Sequence, residues 1–144
     1  MADPEPIDRQ VLAERAAAVA RHLQRVAARL PDHPEDLAPA SDASDAVILH
    51  LWQATQVVID LAVSICVRLQ LGAPATYAEA FRKLAAAHAI DADLATRLER
   101  AAGFRNVVAH AYDSLDLKRV WEAARHGPQD LLAFLRAVER LSRS

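Results

Sequence analysis

The sequence predicts an all-α fold, a four- to five-helix antiparallel bundle. Alanine and leucine are frequent, glycine occurs only three times in 144 residues, and no stretch alternates apolar and polar residues as a half-buried strand would. Long amphipathic segments with short connections are typical of antiparallel bundles. With 53% hydrophobic residues, residues 1–144 are expected to form a single domain with its own core.

The first half of the chain is predicted to contain two long helices. Leucine and valine recur at three-, four- and seven-residue spacings over residues 8–30, which predicts the first helix, while residues 1–7 are expected to be a disordered tail. Three prolines predict a loop over residues 31–44. Residues 45–71 predict the longest helix, capped by Ser44 or Asp42. Its apolar residues on more than one side predict a central position.

The second half has three predicted helix starts, each preceded by a residue that caps the free amides of a first turn. The third helix is expected to end near His88. The fourth continues into residues 105–112, and Gly127–Pro128 predicts a break between the fifth helix and a separate last helix. The predicted caps are Thr76 (in a capping box with Glu79), Asp91 and Asp116.

The composition argues against several classes of function. One cysteine excludes a disulfide framework, and a net charge of -2 argues against coating of nucleic acid by the whole surface, although not against a local basic groove. We find no apolar run near the roughly 20 residues that cross a bilayer, and no signal peptide. The sequence therefore predicts a cytoplasmic protein with no membrane partner.

The polar chemistry of the chain is concentrated in residues 105–112, which we call the motif. Histidine exchanges protons near neutral pH, and the planar charge of arginine suits phosphate. Without a nucleophilic serine or cysteine beside them, they suit RNA cleavage by the 2′-hydroxyl, which needs no metal. A structural role is also open, because both residues complement a helix dipole at its C-terminus. The polar residues of the motif are Arg105, Asn106, His110 and Tyr112.

The spacing within the motif constrains its geometry. Each residue of a straight helix turns about 100°, so Arg105 and Tyr112 share a face, whereas His110 lies about 140° from Arg105. One regular helix cannot bring Arg105 and His110 to one small group. We therefore predict either that the helix ends or distorts near Ala109, or that a second chain completes the site.

The other five histidines show no metal-ligand spacing, so we predict no metal and no cofactor.

The pattern Arg105-Asn106-x-x-x-His110-x-Tyr112 resembles the signature of the HepT-like toxins of the HEPN superfamily. The resemblance extends over roughly residues 45–141. It implies a HEPN-like bundle that forms a homodimer or a higher oligomer, with metal-independent endoribonuclease activity against RNA in a type VII toxin–antitoxin system. It also implies an MntA-like minimal nucleotidyltransferase antitoxin, which transfers AMP to the motif tyrosine.

The same resemblance assigns roles to individual residues. It implies that Arg105 and His110 are catalytic, that Asn106 supports them and that Tyr112 is the AMPylation target. Asp60 in the second helix would orient His110 or Arg105, or is simply a solvated acid. Some members of the superfamily lack nuclease activity. The alternatives are therefore a non-catalytic helical module that binds a minimal nucleotidyltransferase or nucleotide, and a structural dimerisation domain.

Overall fold

Five α-helices form the described part of the chain, residues 6–143, in this computed structural model. No strand occurs in these residues, so the predicted all-α class is confirmed. Short 3₁₀ helices lie at Pro34–Asp36 and Tyr112–Ser114. The helices are α1 (Arg9–Arg29), α2 (Asp42–Arg68), α3 (Tyr77–Ala86), α4 (Ala92–Ala111) and α5 (Leu117–Arg143).

The central element is α2, which contacts each of the other four helices. Its apolar residues face several neighbours, so the predicted central position is confirmed. By length and composition alone α2 would be able to cross a membrane, contrary to our expectation that no apolar run is long enough. Half of that apolar segment is buried within the fold, as in the core helix of a globular protein.

The core consists of two apolar clusters. The larger cluster joins the C-terminal half of α2 to α1, α3, the start of α4 and the end of α5, and includes the edge-to-face pair Phe81 and Phe134. The smaller cluster joins the first half of α2 to α5 through Val47, Val120 and Ala124. Val108 anchors the motif in the smaller cluster.

The predicted cap of α2 is wrong. The helix begins at Asp42, and Ser41 is its N-cap, so the preceding loop ends earlier than residue 44. The Ser41 hydroxyl accepts a hydrogen bond from the Ser44 amide at 3.1 Å, and the Ser44 hydroxyl accepts one from the Ser41 amide at 3.1 Å. Two serines three residues apart thus form a reciprocal capping box, which moves the start upstream.

The other predicted cap residues are present, although the Glu79 carboxylate of the predicted capping box accepts from the Ala75 amide at 2.8 Å and not from the Thr76 amide. Thr76 accepts from the Glu79 amide at 3.1 Å and Asp91 accepts from the Leu94 amide at 2.7 Å. Asp116 accepts from the Lys118 amide at 3.0 Å in the first turn of α5. These caps were predictable because each depends on residues two or three positions apart.

The predicted break at Gly127–Pro128 is wrong, because α5 continues through it. Gly127 lacks the Cβ that would crowd the ring of the following proline. The apolar residues of α5 on both sides of Pro128 are buried, and Val120 and Leu131 are at most 1% exposed. Burying two such side chains contributes about 3–6 kcal/mol, which offsets the cost of about 3 kcal/mol for an internal proline.

The prediction of a disordered tail over residues 1–7 is wrong for Ile7. Ile7 is only 3% exposed and packs in the larger cluster immediately before α1. Its apolar side chain reaches the core because the chain turns at Asp8, which caps α1. Residues 1–5 of the predicted tail lie outside the described residues.

Candidate functional site

Arg105 is held from three helices. Its Nε donates a hydrogen bond to Gln56 Oε1 of α2 at 2.6 Å, and its Nη1 donates to the neighbouring Asn106 Oδ1 at 3.2 Å. The guanidinium carbon lies 5.2 Å from the ring centroid of Trp52 in α2 and 5.2 Å from that of Tyr77 in α3. Both rings attract the cation. No described residue accepts a hydrogen bond from Nη2, so part of the guanidinium stays available for a phosphate.

Gln56 is oriented by the acid that we predicted to support the site. Its Nε2 donates to Asp60 Oδ1 at 2.8 Å, which turns its carbonyl oxygen towards Arg105. Asp60 is exposed, and its hydrogen-bond partner is Gln56, which in turn contacts Arg105; no hydrogen bond within residues 6–143 joins the side chains of Asp60 and His110. Sequence reasoning did not identify Gln56 as a site residue. The available signal was the polar interruption that Gln53 and Gln56 make in an otherwise apolar helix.

His110 has a different environment from Arg105. It is exposed in the last turn of α4, and within residues 6–143 it forms no hydrogen bond or ion pair. We predicted that the helix ends or distorts near Ala109; α4 ends two residues later, at Ala111, where φ is -140° and ψ is 38°. Arg105 and His110 therefore project from different faces of one regular helix.

Tyr112 begins the 3₁₀ helix that follows α4. Its hydroxyl donates to Asp45 Oδ1 of α2 at 2.7 Å, and the residue is 45% exposed. This hydrogen bond, together with partial burial and the negative charges of Asp45 and Asp113, raises the pKa of Tyr112 above its ordinary value. Asp45 and Gln56 are eleven residues apart and lie on one face of α2, so Tyr112 and Arg105 face the same side.

A groove between α4 and α5 opens on the side of α4 away from Arg105. Its volume is about 920 Å³, and its floor includes Phe104, Val107 and Leu131. Its charged lining is mixed and consists of Arg97, Arg100, Arg119, Asp116, Glu122 and Asp130. His110 is not among the residues that line the groove.

A pair of histidines, His22 and His50, joins α1 to α2. His22 Nδ1 and His50 Nδ1 are 3.0 Å apart, and the rings stack at a centroid distance of 5.3 Å. Burial lowers the pKa of both side chains, and the positive charge of Arg25 lowers both further; a charge on His50 also lowers the pKa of His22. Sequence spacing did not identify this pair. No cluster of three or more potential metal-ligating side chains occurs between residues 6 and 143.

Comparison with known proteins points in one direction. A family model described as ribonuclease HepT-like matches residues 19–138. The mRNA nuclease HepT of Shewanella oneidensis is 32% identical over 95 residues, which cover 66% of this chain and 71% of that protein.

Solved structures of toxin–antitoxin complexes share the fold. A toxin–antitoxin crystal structure with AMP-PNP has a TM-score of 0.82 and 25% identity, and the match covers 92% of this chain and 99% of that one. The tri-AMPylated HEPN toxin of Shewanella oneidensis, in complex with an MNT antitoxin, gives a TM-score of 0.82 and 25% identity over 93% of this chain and 99% of that one.

Proposed function

Because the chain belongs to the HepT-like ribonuclease family, we propose that it is the toxin of a toxin–antitoxin system and cleaves RNA without a metal ion, using Arg105 and His110. The observation that carries the proposal is the geometry of Arg105. Gln56, Trp52 and Tyr77 fix its guanidinium, while Nη2 has no described partner. A fixed charge with a free donor edge suits the charge that grows on phosphorus during cleavage.

The proposed reaction uses the substrate's own nucleophile. The 2′-oxygen of RNA forms a bond to phosphorus as His110 takes the hydroxyl proton, and the bond from phosphorus to the 5′-oxygen breaks. Arg105 stabilises the additional negative charge on phosphorus. The leaving 5′-oxygen takes a proton from water, and the protonated His110 returns its proton to solvent. The products are a 2′,3′-cyclic phosphate and a 5′-hydroxyl.

We propose that a homodimer, or a higher oligomer, completes this site. Arg105 and His110 project from different faces of a helix that is regular through both residues. His110 is also exposed and forms no hydrogen bond with another described residue. A second copy would place its own His110 opposite Arg105 without distorting either helix.

The relative from Shewanella oneidensis is an mRNA nuclease, so we propose messenger RNA as the substrate class, in the cytoplasm.

We propose that an MntA-like nucleotidyltransferase is the antitoxin and that it transfers AMP to Tyr112. The supporting comparison is the relative that is tri-AMPylated in complex with an MNT antitoxin. Tyr112 is 45% exposed and lies on the side of α4 that holds Arg105. An added AMP places bulk and a phosphate charge there, which blocks RNA and neutralises the arginine.

The test is RNA cleavage by the purified chain in EDTA. The wild type is expected to cleave total RNA, and His110→Ala and Arg105→Ala to lose about 100- to 10,000-fold of the rate. His33→Ala replaces an exposed histidine of the 31–44 loop and serves as the matched control. If wild type and His110→Ala leave RNA equally intact, the nuclease proposal is wrong, and the non-catalytic module that binds a nucleotidyltransferase replaces it.

A further inference from the structure

The hydrogen bond between Tyr112 and Asp45 is not explained by the local needs of either helix. Asp45 lies in the first turn of α2, where the Ser41 hydroxyl caps the Ser44 amide and where the Asp45 amide bonds to the Ser41 carbonyl at 3.0 Å. The Asp45 carboxylate is therefore not needed as a cap. It accepts instead from the Tyr112 hydroxyl at 2.7 Å, across 67 residues of sequence.

A tyrosine that receives a nucleotidyl group must lose its phenolic proton. A free phenol has a pKa of about 10, so only about one in a thousand is ionised at pH 7. A carboxylate within hydrogen-bond distance removes that proton while the new bond forms. Both residues are exposed, so a nucleotide and a transferase have access to them.

We propose that Asp45 is the general base for nucleotidylation of Tyr112, an inference that rests on the proposed function. The Tyr112 oxygen forms a bond to the α-phosphorus of a nucleoside triphosphate held by the transferase. The bond from that phosphorus to the bridging oxygen breaks, pyrophosphate leaves, and the phenolic proton passes to Asp45. Solvent then takes the proton from the exposed carboxylic acid.

The charges around Tyr112 determine where the phosphate of an attached nucleotide is attracted and repelled. Once modified, the Tyr112 oxygen has no proton to donate, so the bond to Asp45 is lost. Asp45 on α2 and Asp113 on the 3₁₀ helix are the charged groups that act on Tyr112, and both repel the new phosphodiester. Arg105 lies on the same side and attracts it. The same carboxylate thus helps to attach the nucleotide and to direct its phosphate towards the arginine.

Asp45 as a base is distinguishable from Asp45 as a structural partner. The hydrogen bond to Asp45 is the main cause that raises the pKa of Tyr112, so removing the carboxylate makes the phenol more acidic. If removing Asp45 changed only the acidity of the Tyr112 phenol, more of the phenol would be ionised and AMP attachment would be faster. A slower reaction therefore reports the loss of the proton acceptor.

The experiment measures the initial rate of AMP attachment to the peptide that contains Tyr112, by mass spectrometry. An MntA-like nucleotidyltransferase and ATP are supplied with the wild-type chain, Asp45→Asn and Asp113→Asn between pH 6.5 and 9. We expect Asp45→Asn to be about 100-fold slower at pH 7, mainly in kcat. Its deficit shrinks towards pH 9, because solution ionisation of the phenol replaces the base. Asp113→Asn, which removes a nearby charge without removing the hydrogen bond, stays within about twofold of wild type.

Comparing variants at each pH cancels the titration of the transferase itself. Equal rates for Asp45→Asn and wild type at every pH overturn the inference, and so does a faster Asp45→Asn. Asp45→Ala, with circular dichroism equal to that of wild type, must reproduce the slow rate. Wild type that is never modified at Tyr112 overturns the AMPylation proposal and this inference with it. Modification with an unchanged Asp45→Asn rate overturns the inference alone.

Discussion

The two sides of α4 are built differently around residues of the same motif. On the side that faces α2, Arg105 is fixed by Gln56, Trp52 and Tyr77. On the open side, His110 contacts no described hydrogen-bonding partner. Within one chain, the Arg105 guanidinium is therefore held in place, whereas the His110 imidazole has no described hydrogen-bond partner. This difference favours a site in which contacts within one chain position Arg105 and dimerisation positions His110.

The largest expected effect is on the RNA cleavage rate, when two inactive variants are mixed to test whether Arg105 and His110 act across a dimer. Arg105→Ala and His110→Ala are each expected to lose about 100- to 10,000-fold of RNA cleavage. If sites form across a dimer, a mixed dimer has one site with both Arg105 and His110 intact. Equal mixing with subunit exchange is then expected to restore about a quarter of the wild-type rate, since half the dimers are mixed and each has one of two sites. A mixture as inactive as its components would place both residues in one chain's site.

Removing Gln56, the hydrogen-bond acceptor for Arg105 Nε, is expected to have an intermediate effect on the RNA cleavage rate. Gln56→Ala deletes the acceptor for Arg105 Nε, and a hydrogen bond to a charged group contributes about 1.5–3 kcal/mol, which corresponds to about a 10- to 100-fold loss of cleavage rate. The thermal midpoint is expected to change little, because Gln56 is only half-buried.

Gln53→Ala is the matched control for that substitution. Gln53 is half-buried on the same helix and forms no hydrogen bond with a described residue. Similar cleavage losses for Gln53→Ala and Gln56→Ala would mean that Arg105 does not depend on its amide partner.

The paired histidines of α1 and α2 give the smallest effect and contrast with His110. The pKa of His22 and that of His50 lie below 6.5 in the folded chain, so below pH 6.5 the unfolded chain binds more protons. The free energy of unfolding is expected to be highest above pH 6.5 and to fall as the pH decreases through the folded pKa values. His22→Gln should lose less stability between pH 7.5 and 5.5, measured by thermal unfolding. Parallel losses in wild type and His22→Gln would exclude the pair as a source of pH dependence.

Local chemistry made much of the fold predictable, and long-range packing accounts for what was missed. The caps Thr76, Asp91 and Asp116 involve residues two or three positions away, so the sequence contains both partners of each bond. The continuity of α5 through Pro128 depends instead on burial of its stripe against distant helices. No local pattern contains that information.

The motif was recognisable from residue types, but its partners were not. Arg105 and Gln56 are 49 residues apart, and their contact depends on how α2 and α4 are rotated about their own axes. The resemblance to the HepT-like toxins implied a supporting role for Asp60, but its contact with Gln56 is known only from the positions of both side chains. The proposed catalytic and modification roles remain predictions for the experiments above.

The stacking of Arg105 on Trp52 also has an optical consequence. The indole of Trp52 lies 5.2 Å from the guanidinium carbon, so its fluorescence is sensitive to any movement of that charge. The second tryptophan, Trp121, donates from its indole nitrogen to the Pro31 carbonyl at 2.8 Å, and its emission forms a steady background. Engagement of Arg105 by a phosphate, or its displacement by a nucleotide on Tyr112, thus becomes visible in the native chain without an attached dye.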